Sequence, residues 1–165
     1  MCAAVAFAVA RANKFAPTVL DLFSCEVVGW SLKPRMTVDL VTDALTMGWF
    51  RRKSAPGRNH HSDRVSQCAS HVFRAKLAQY GMVCSMSRKG DRRGNAPTES
   101  WFNSFKNERV FGKCFATRDA MKATAFESIK VLYNRKRLHS TLGYTFPMSF
   151  QKDWINPGKG EKQVA

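Results

Sequence analysis

Residues 18–33 read TVLDLFSCEVVGWSLK and decide the fold of this chain. Residues 18–23 and 26–33 are rich in Val, Leu, Phe and Trp, and Ser24-Cys25 lies between them. Two such segments on either side of a short break predict an antiparallel β-hairpin. Pro34 follows the second segment and ends the strand, because proline cannot donate a hydrogen bond to a ladder.

Thr37 is the predicted N-cap of a helix that runs to about residue 52. Apolar residues recur there at helical spacing, whereas Asp39 and Asp43 fall largely off that stripe and are expected on a solvated face. The residues of the stripe are Val38, Val41, Leu45 and Trp49.

Helices and strands continue to alternate along the rest of the chain. A short strand reaching Asp63 is predicted first, followed by a helix over 66–80 that ends at Gly81. The inward residues of that helix are predicted to be Val72, Phe73, Leu77 and Tyr80. The remaining predicted elements are a strand over 82–86, a basic loop over 87–96, a helix starting near Pro97, a helix over 117–133, a basic connection over 135–144 and a short helix near Pro147. This order predicts an α/β (α+β) domain with a mixed sheet and flanking helices.

Two acids stand in short polar motifs, with 35 residues between them. Asp63 lies in the string HHSDR (60–64), and Glu99 lies in GNAPTES (94–100). Carboxylates of this kind hold the divalent metals of phosphoryl-transfer sites, for which Mg²⁺ is a suitable ion. Surface ion pairs with nearby arginines are the alternative, and spacing alone favours that alternative.

The chain of 165 residues has the length of one domain and carries a net charge of +15, with 27 Lys and Arg against 12 Asp and Glu. Such a charge favours a polyanionic partner but does not distinguish between DNA, RNA and an anionic membrane.

The five cysteines form no C-x-x-C pair, which argues against a zinc site and a disulfide framework and favours free thiols in a reducing cytoplasm. Residues 1–10 are apolar but too short to span a bilayer.

From residue 19 to residue 154 the sequence resembles the integrase-core (DDE) domain of insertion-sequence transposases, which is related to retroviral integrases. The strings that carry the resemblance are VLDLFS (19–24), VVGW (27–30), HHSDR (60–64) with Ser66-Gln67, SMSR (85–88), NAP (95–97), Glu99-Ser100, Tyr133-Asn134, Arg137, His139-Ser140, LGY (142–144) and Pro147.

The resemblance implies a ribonuclease-H-like fold that cuts and joins DNA ends with two Asp and one Glu holding two Mg²⁺ (or Mn²⁺) ions. By resemblance, Asp63 is the second Asp and Glu99 is the Glu, and both are expected to bind metal and act in catalysis. Residues 1–17 contain no acid, so the strand that carries the first Asp is missing or replaced, with residues 3–9 as its candidate substitute. Asp21 lies on the hairpin, outside the triad, and is expected to be structural.

Further departures surround both acids, because Val65 stands where relatives usually carry Gly, Gly94 where they carry Asp, and Asp91 where they carry Asn. With the first Asp lost as well, we expect a transposase whose catalysis is impaired. The alternatives are a basic DNA-binding module or transposase remnant without chemistry, and a fragment that folds poorly. We divide the chain into an atypical segment (1–17), the integrase-core domain (18–154) and a polar tail (155–165).

DNA, both as transposon ends and as target, is the expected partner, together with a second copy of the chain or a partner transposase subunit. No membrane partner is expected, and the expected location is the bacterial cytoplasm, in association with the nucleoid. The predicted DNA-binding residues are Arg64, Arg88, Lys89, Arg92, Arg93, Asn95, Asn103, Lys106, Arg135, Arg137 and His139.

Overall fold

Five short strands form one mixed sheet in the order β3-β2-β1-β4-β5. The computed structural model describes residues 7–11, 17–33, 35, 37–53, 55–62, 67–86 and 96–157, without the side chains of 7–11 and Ala96. The strands are β1 (Phe7–Arg11), β2 (Pro17–Asp21), β3 (Glu26–Trp30), β4 (Asn59–Ser62) and β5 (Val83–Met86).

Strand β1 occupies the centre of the sheet. It pairs antiparallel with β2, placing Ala10 opposite Thr18, and parallel with β4, placing Val9 opposite Ser62. The strand expected to be missing or replaced is therefore supplied by Phe7–Arg11, which begins inside the apolar segment 1–10. The backbone groups of β2 and β4 that face this position find ladder partners.

The hairpin predicted from residues 18–33 is confirmed as β2 and β3, with a turn over 22–25. Strand β3 ends at Trp30, three residues short of the predicted end, although Ser31 still donates its N–H to the Pro17 carbonyl (3.3 Å). The ladder passes from Val19–Gly29 to Leu20–Val27 and leaves Val28 as a bulge.

Six α-helices flank the sheet in the described part of the chain, together with a 3-10 helix over Ser140–Leu142. The α-helices are α1 (Val38–Arg52), α2 (His71–Gln79), α3 (Ala96–Phe105), α4 (Arg118–Glu127), α5 (Asn134–Lys136) and α6 (Pro147–Ile155). Helix α3 continues as a π-helical turn over Lys106–Val110, and α4 reaches α5 through a second π-helical segment, Ser128–Tyr133. No helix in these ranges is long and apolar enough to cross a membrane.

Helix α2 begins later than predicted, at His71 rather than residue 66, because Ser70 caps it. The Ser70 hydroxyl accepts a hydrogen bond from the Phe73 N–H (3.2 Å). With that phase, Phe73 and Leu77 are buried, whereas Val72 is 58% exposed, so its predicted inward position was wrong.

The core consists of one apolar cluster on each face of the sheet. On the face covered by α1 and α2, Val19 and Val28 pack with Leu45, Phe73 and Leu77. On the other face, the neighbouring strand residues Leu20 and Val27 pack with side chains from the second half of the chain, namely Trp101, Phe102, Ile129 and Tyr133. A single sheet thus separates and organises two cores.

Helix α1 crosses β3 so closely that only glycine fits at residue 29. A Cβ on Gly29 would lie 2.1 Å from the Ala44 carbonyl oxygen, which is a backbone atom of α1. We expect Gly29→Ala to lower the free energy of unfolding by about 2–3 kcal/mol, since α1 must move away from the sheet. Urea unfolding would measure the change.

Gly48→Ala is the matched control at the same crossing. A Cβ there would meet only the side chains of Val19 (3.3 Å) and Val28 (3.4 Å). The helical preference for alanine, about 1 kcal/mol, should offset that crowding. Equal losses in the two variants would contradict the backbone clash at Gly29.

Candidate active site

The carboxyl ends of β1 and β4 lie side by side and form the centre of the candidate site. Ser62, the last residue of β4, is fully buried opposite Val9 of β1. Asp63 and Arg64 follow Ser62 directly in the sequence and lie outside the described residues. The parallel pairing of β1 with β4 thus leads the chain to Asp63 from the middle of the sheet.

Glu99 lies in the first turn of α3, and its side chain is exposed. Asn103 and Lys106 follow at i+4 and i+7 and are exposed as well, so all three share the solvent-facing side of the helix. The opposite side is anchored by Trp101, which stacks on Phe105 at a centroid distance of 5.4 Å and meets Tyr133 edge-on at 5.9 Å. Trp101 and Phe105 thus pack inward, with Trp101 buried in the apolar cluster on this face of the sheet and Phe105 against that cluster.

Strand β1 brings no carboxylate to this site. Its sequence is FAVAR, which contains no acid at all. The central strand is present in the sheet, whereas the acid that the resemblance places on it is not.

Asp21 does not replace the missing acid. Asp21 pairs with Phe7, two residues before the Val9 that faces Ser62. Two strand spacings and two residues along the strand therefore separate the Cα atoms of Asp21 and Ser62, a distance of about 12 Å. Asp21 is 1% exposed and fully engaged: Arg52 Nε lies 2.9 Å from Oδ2, the Ser24 hydroxyl donates to Oδ2 (2.9 Å), and the Phe23 N–H donates to Oδ1 (3.1 Å). Asp21 therefore ties the hairpin turn to the end of α1.

The described residues do not complete a two-metal site. Among them, no three His, Cys, Asp or Glu side chains gather closely enough to hold a metal ion. Glu99 is the only predicted metal ligand that can be placed. Two ions carry four positive charges, so a site without a carboxylate from β1 does not fit the pair of ions that the resemblance implies.

The histidines before Asp63 have ordinary structural surroundings. His60 is fully buried beside Phe73, with ring centroids 5.5 Å apart, and burial, followed by the charge of His61, lowers its pKa to about 3. The ring is therefore neutral at neutral pH. His61 lies across from Ser85, with 3.4 Å between its Nδ1 and the Ser85 hydroxyl.

Of the predicted DNA-binding residues that can be placed, Arg137 and His139 do not lie on the Glu99 side of α3. Arg137 donates to the Ser104 hydroxyl (2.8 Å) and to Glu108 (3.0 Å), and Ser104 lies about 140° around the helix from Glu99. His139 packs edge-on against Tyr133 at 5.1 Å, and its pKa is lowered by burial and by Arg137. Arg135 is exposed on α5. The remaining predicted contacts, Arg64, Arg88, Lys89, Arg92, Arg93 and Asn95, lie outside the described residues.

Asn134 has a role that the sequence analysis did not assign. Its side-chain oxygen accepts from the Val27 N–H and its side-chain nitrogen donates to the Val27 carbonyl, both at 3.0 Å. The amide thus completes the outer edge of β3 in place of another strand. An Asn inside an apolar helical segment, next to Tyr133, was the available signal, but its partner lies 107 residues away.

Comparison with known proteins agrees with this geometry. Residues 5–92 match the integrase core domain, and residues 99–154 match a second integrase core domain family. Transposase InsF for insertion sequence IS3A of Escherichia coli K12 is 43% identical over 133 residues, which is 81% of this chain and 46% of that protein. The insertion element IS600 uncharacterized 31 kDa protein of Shigella sonnei is 38% identical over 136 residues, 82% of this chain and 50% of that protein. The chain thus spans about half the length of these relatives.

Solved structures show the same fold at low sequence identity. The catalytic core domain of BIV integrase has a TM-score of 0.64 at 14% identity and covers 94% of this chain and 98% of that one. A chain of the simian T-cell lymphotropic virus intasome in complex with a PP2A regulatory subunit has a TM-score of 0.64 at 11% identity and covers 98% of this chain and 58% of that one. The expected ribonuclease-H-like fold is confirmed, and the chain belongs to the integrase core domain family.

Proposed function

We propose that this chain is the DNA-recombination core of an insertion-sequence transposase whose own cutting and joining chemistry is impaired, while its affinity for DNA is retained. The observation that supports impairment is the composition of β1. The strand is paired on both sides at the centre of the sheet, yet its sequence FAVAR offers no carboxylate. Asp21, the first acid after β1 in the sequence, is buried in its contacts with Arg52 and Ser24.

In this proposal Asp63 and Glu99 hold one divalent ion, Mg²⁺ or Mn²⁺. Such an ion, when bound, supplies positive charge to a phosphodiester. The exposed position of Glu99 in the first turn of α3 suits this role, because the side chain is accessible from solvent. A related integrase core, that of HTLV-2, is described in complex with magnesium. Residues 18–154, joined by strand β1, form the catalytic unit in this proposal, with 155–165 as a tail.

DNA binding depends in this proposal on the basic residues around the two acids. Asn103 and Lys106 extend from Glu99 along the exposed side of α3 and can meet successive phosphates. The net charge of +15 predicts steep salt dependence with little sequence preference. The residues that would continue this surface are Arg64, Arg88, Lys89, Arg92, Arg93 and Asn95.

A second copy of the chain or a partner transposase subunit would complete the assembly in the bacterial cytoplasm. One of the neighbouring folds is found in an intasome, and this chain spans about half of its curated relatives. A remnant that only binds DNA is the second candidate function. Its support is that the sheet keeps a fully paired central strand after the acid on that strand is lost.

The test is binding, nicking and strand transfer on a labelled duplex with Mg²⁺ or Mn²⁺. We expect salt-dependent binding and little metal-dependent product. Asp63→Asn and Glu99→Gln should bind the duplex as well as the unaltered chain does. Glu127→Gln, an exposed carboxylate on α4, is the control. Strong activity that the first two substitutions abolish and the control keeps would overturn the impairment. No binding to DNA at low salt would overturn the DNA-recombination role.

A further inference from the structure

Trp30, at the end of edge strand β3, has two cationic side chains over its ring. The Arg51 guanidinium carbon lies 4.4 Å from the ring centroid, and the Lys130 ammonium lies 5.7 Å from it. Phe126 contacts the ring edge-on at 6.1 Å. Residues that are distant in sequence thus hold two cations on a half-buried aromatic ring.

These cations lack carboxylate partners in the described part of the chain. Glu26 is the acid whose charge acts on both Arg51 and Lys130, and it already accepts from Arg52 at 2.6 Å. Burial and the positive charges of Arg51 and Arg135 lower the pKa of Lys130, against an opposing effect of Glu26. Arg51 and Arg135 therefore both repel Lys130, and an anion bound beside Lys130 would relieve that repulsion.

The position of Trp30 in the sheet relates this cluster to the candidate active site. Trp30 pairs with Thr18, and Thr18 pairs with Ala10, the residue after the Val9 that faces Ser62. Trp30 and Ser62 thus lie near one end of the sheet, three strands apart, a Cα separation of about 15 Å. That separation is close to the width of the major groove, which is about 12 Å.

We propose that Trp30, Arg51, Lys130 and Arg135, the Trp30 patch, form a second phosphate-binding surface, which holds the DNA backbone across a groove from the strand at Asp63 and Glu99. The inference rests on the proposed function, because it needs a duplex bound at the candidate active site. It assigns Arg135 to this patch rather than to the surface around Glu99.

The chemistry of the patch suits phosphate. Arg51 and Arg135 are exposed and can each present two parallel N–H donors to phosphate oxygens, and Lys130 adds a point charge. The Trp30 ring limits the freedom of Arg51 and Lys130 before binding, which reduces the entropy lost when a phosphate is held. DNA is favoured over an acidic protein because the proposed function already places a duplex at the candidate active site, and the two backbones of a duplex are separated by the width of a groove.

The experiment compares two triple variants in duplex binding without divalent metal. Arg51→Gln/Lys130→Gln/Arg135→Gln removes the charges of the patch. Arg74→Gln/Arg118→Gln/Lys152→Gln removes three exposed charges from α2, α4 and α6 and is the control. Binding constants for a 30-base-pair duplex are measured over a series of salt concentrations, and thermal melts establish that each variant is folded.

We expect the slope of log K against log salt to become shallower by about two to three in the patch variant, since each lost phosphate contact changes it by about 0.9. The control should keep the slope of the unaltered chain. Equal slopes in the patch variant and the unaltered chain would overturn the Trp30 patch and leave the proposed function standing. Absence of binding by the unaltered chain would overturn both. Polyglutamate is titrated in the same way as an acidic competitor of known chemistry. If the patch variant binds polyglutamate more weakly than the unaltered chain but keeps the DNA slope, the patch binds an acidic protein instead of DNA.

Discussion

An aspartate introduced at residue 9 or residue 10 should raise metal-dependent DNA nicking by about 10²-fold or more at one of the two positions. Val9 faces Ser62, the last residue of β4 before Asp63, and Ala10 follows Val9. Both residues therefore lie beside the end of β4. A third carboxylate would complete the set that holds two ions, and a correctly placed charge commonly changes a rate by this factor. Nicking of a supercoiled plasmid with Mn²⁺ would measure the gain.

The two substitutions control for one another. Successive side chains of a strand point to opposite faces, so Val9→Asp and Ala10→Asp add the same charge on different sides of the sheet. The gain should appear in one variant only and should disappear when Asp63→Asn is added. If both variants fold and bind DNA yet neither gains activity, the missing acid on β1 is not what limits catalysis.

Replacing Asn134 with alanine should lower the free energy of unfolding by about 3–5 kcal/mol. The substitution removes two buried hydrogen bonds and leaves the N–H and the carbonyl of Val27 without partners, at about 1–3 kcal/mol for each unsatisfied group. Val27 is fully buried in the cluster with Trp101 and Ile129, so the edge of β3 cannot readily gain water. Urea unfolding followed by tryptophan fluorescence would measure the loss.

Two further variants separate the edge contact from other effects. Asn134→Asp keeps an acceptor for the Val27 N–H but puts an oxygen opposite the Val27 carbonyl, so it should also be strongly destabilised. Asn103→Ala removes an exposed amide from α3 and should change stability by less than about 0.5 kcal/mol. A loss below about 1 kcal/mol in Asn134→Ala would show that Val27 finds other partners.

Local patterns predicted those parts of the fold that are determined by neighbouring residues. The hairpin over 18–33 and helix α1 agree with the structure because alternation, turn and capping signals all lie within a few residues. The same reasoning failed at Val72, where the cap at Ser70 set the phase of α2. It also left open the strand Phe7–Arg11, because an apolar segment without turn signals cannot be distinguished locally from a frayed end.

The candidate site was predictable only in part, because it depends on contacts between distant residues. Asn103 and Lys106, two of the predicted DNA-binding residues, lie with Glu99 on one exposed face of α3. The contacts of Asp21 with Arg52 and of Trp30 with Arg51 and Lys130 join separate elements, so no spacing in the sequence indicates them. The assignment of Asp63 as a metal ligand comes from the resemblance alone and stays a prediction, whereas physical patterns alone favoured an ordinary surface ion pair.

The contact between Asn134 and Val27 also bears on how the chain emerges from the ribosome. The two residues are 107 positions apart, so β3 is synthesised well before the amide that completes its edge. At about 5–20 residues per second, the interval is about 5–20 seconds. During that time the nascent hairpin carries an unpaired strand edge and an uncovered apolar face, which is the kind of surface that chaperones bind. Slower translation would lengthen this exposure, so the yield of folded protein should depend on translation rate between these two residues.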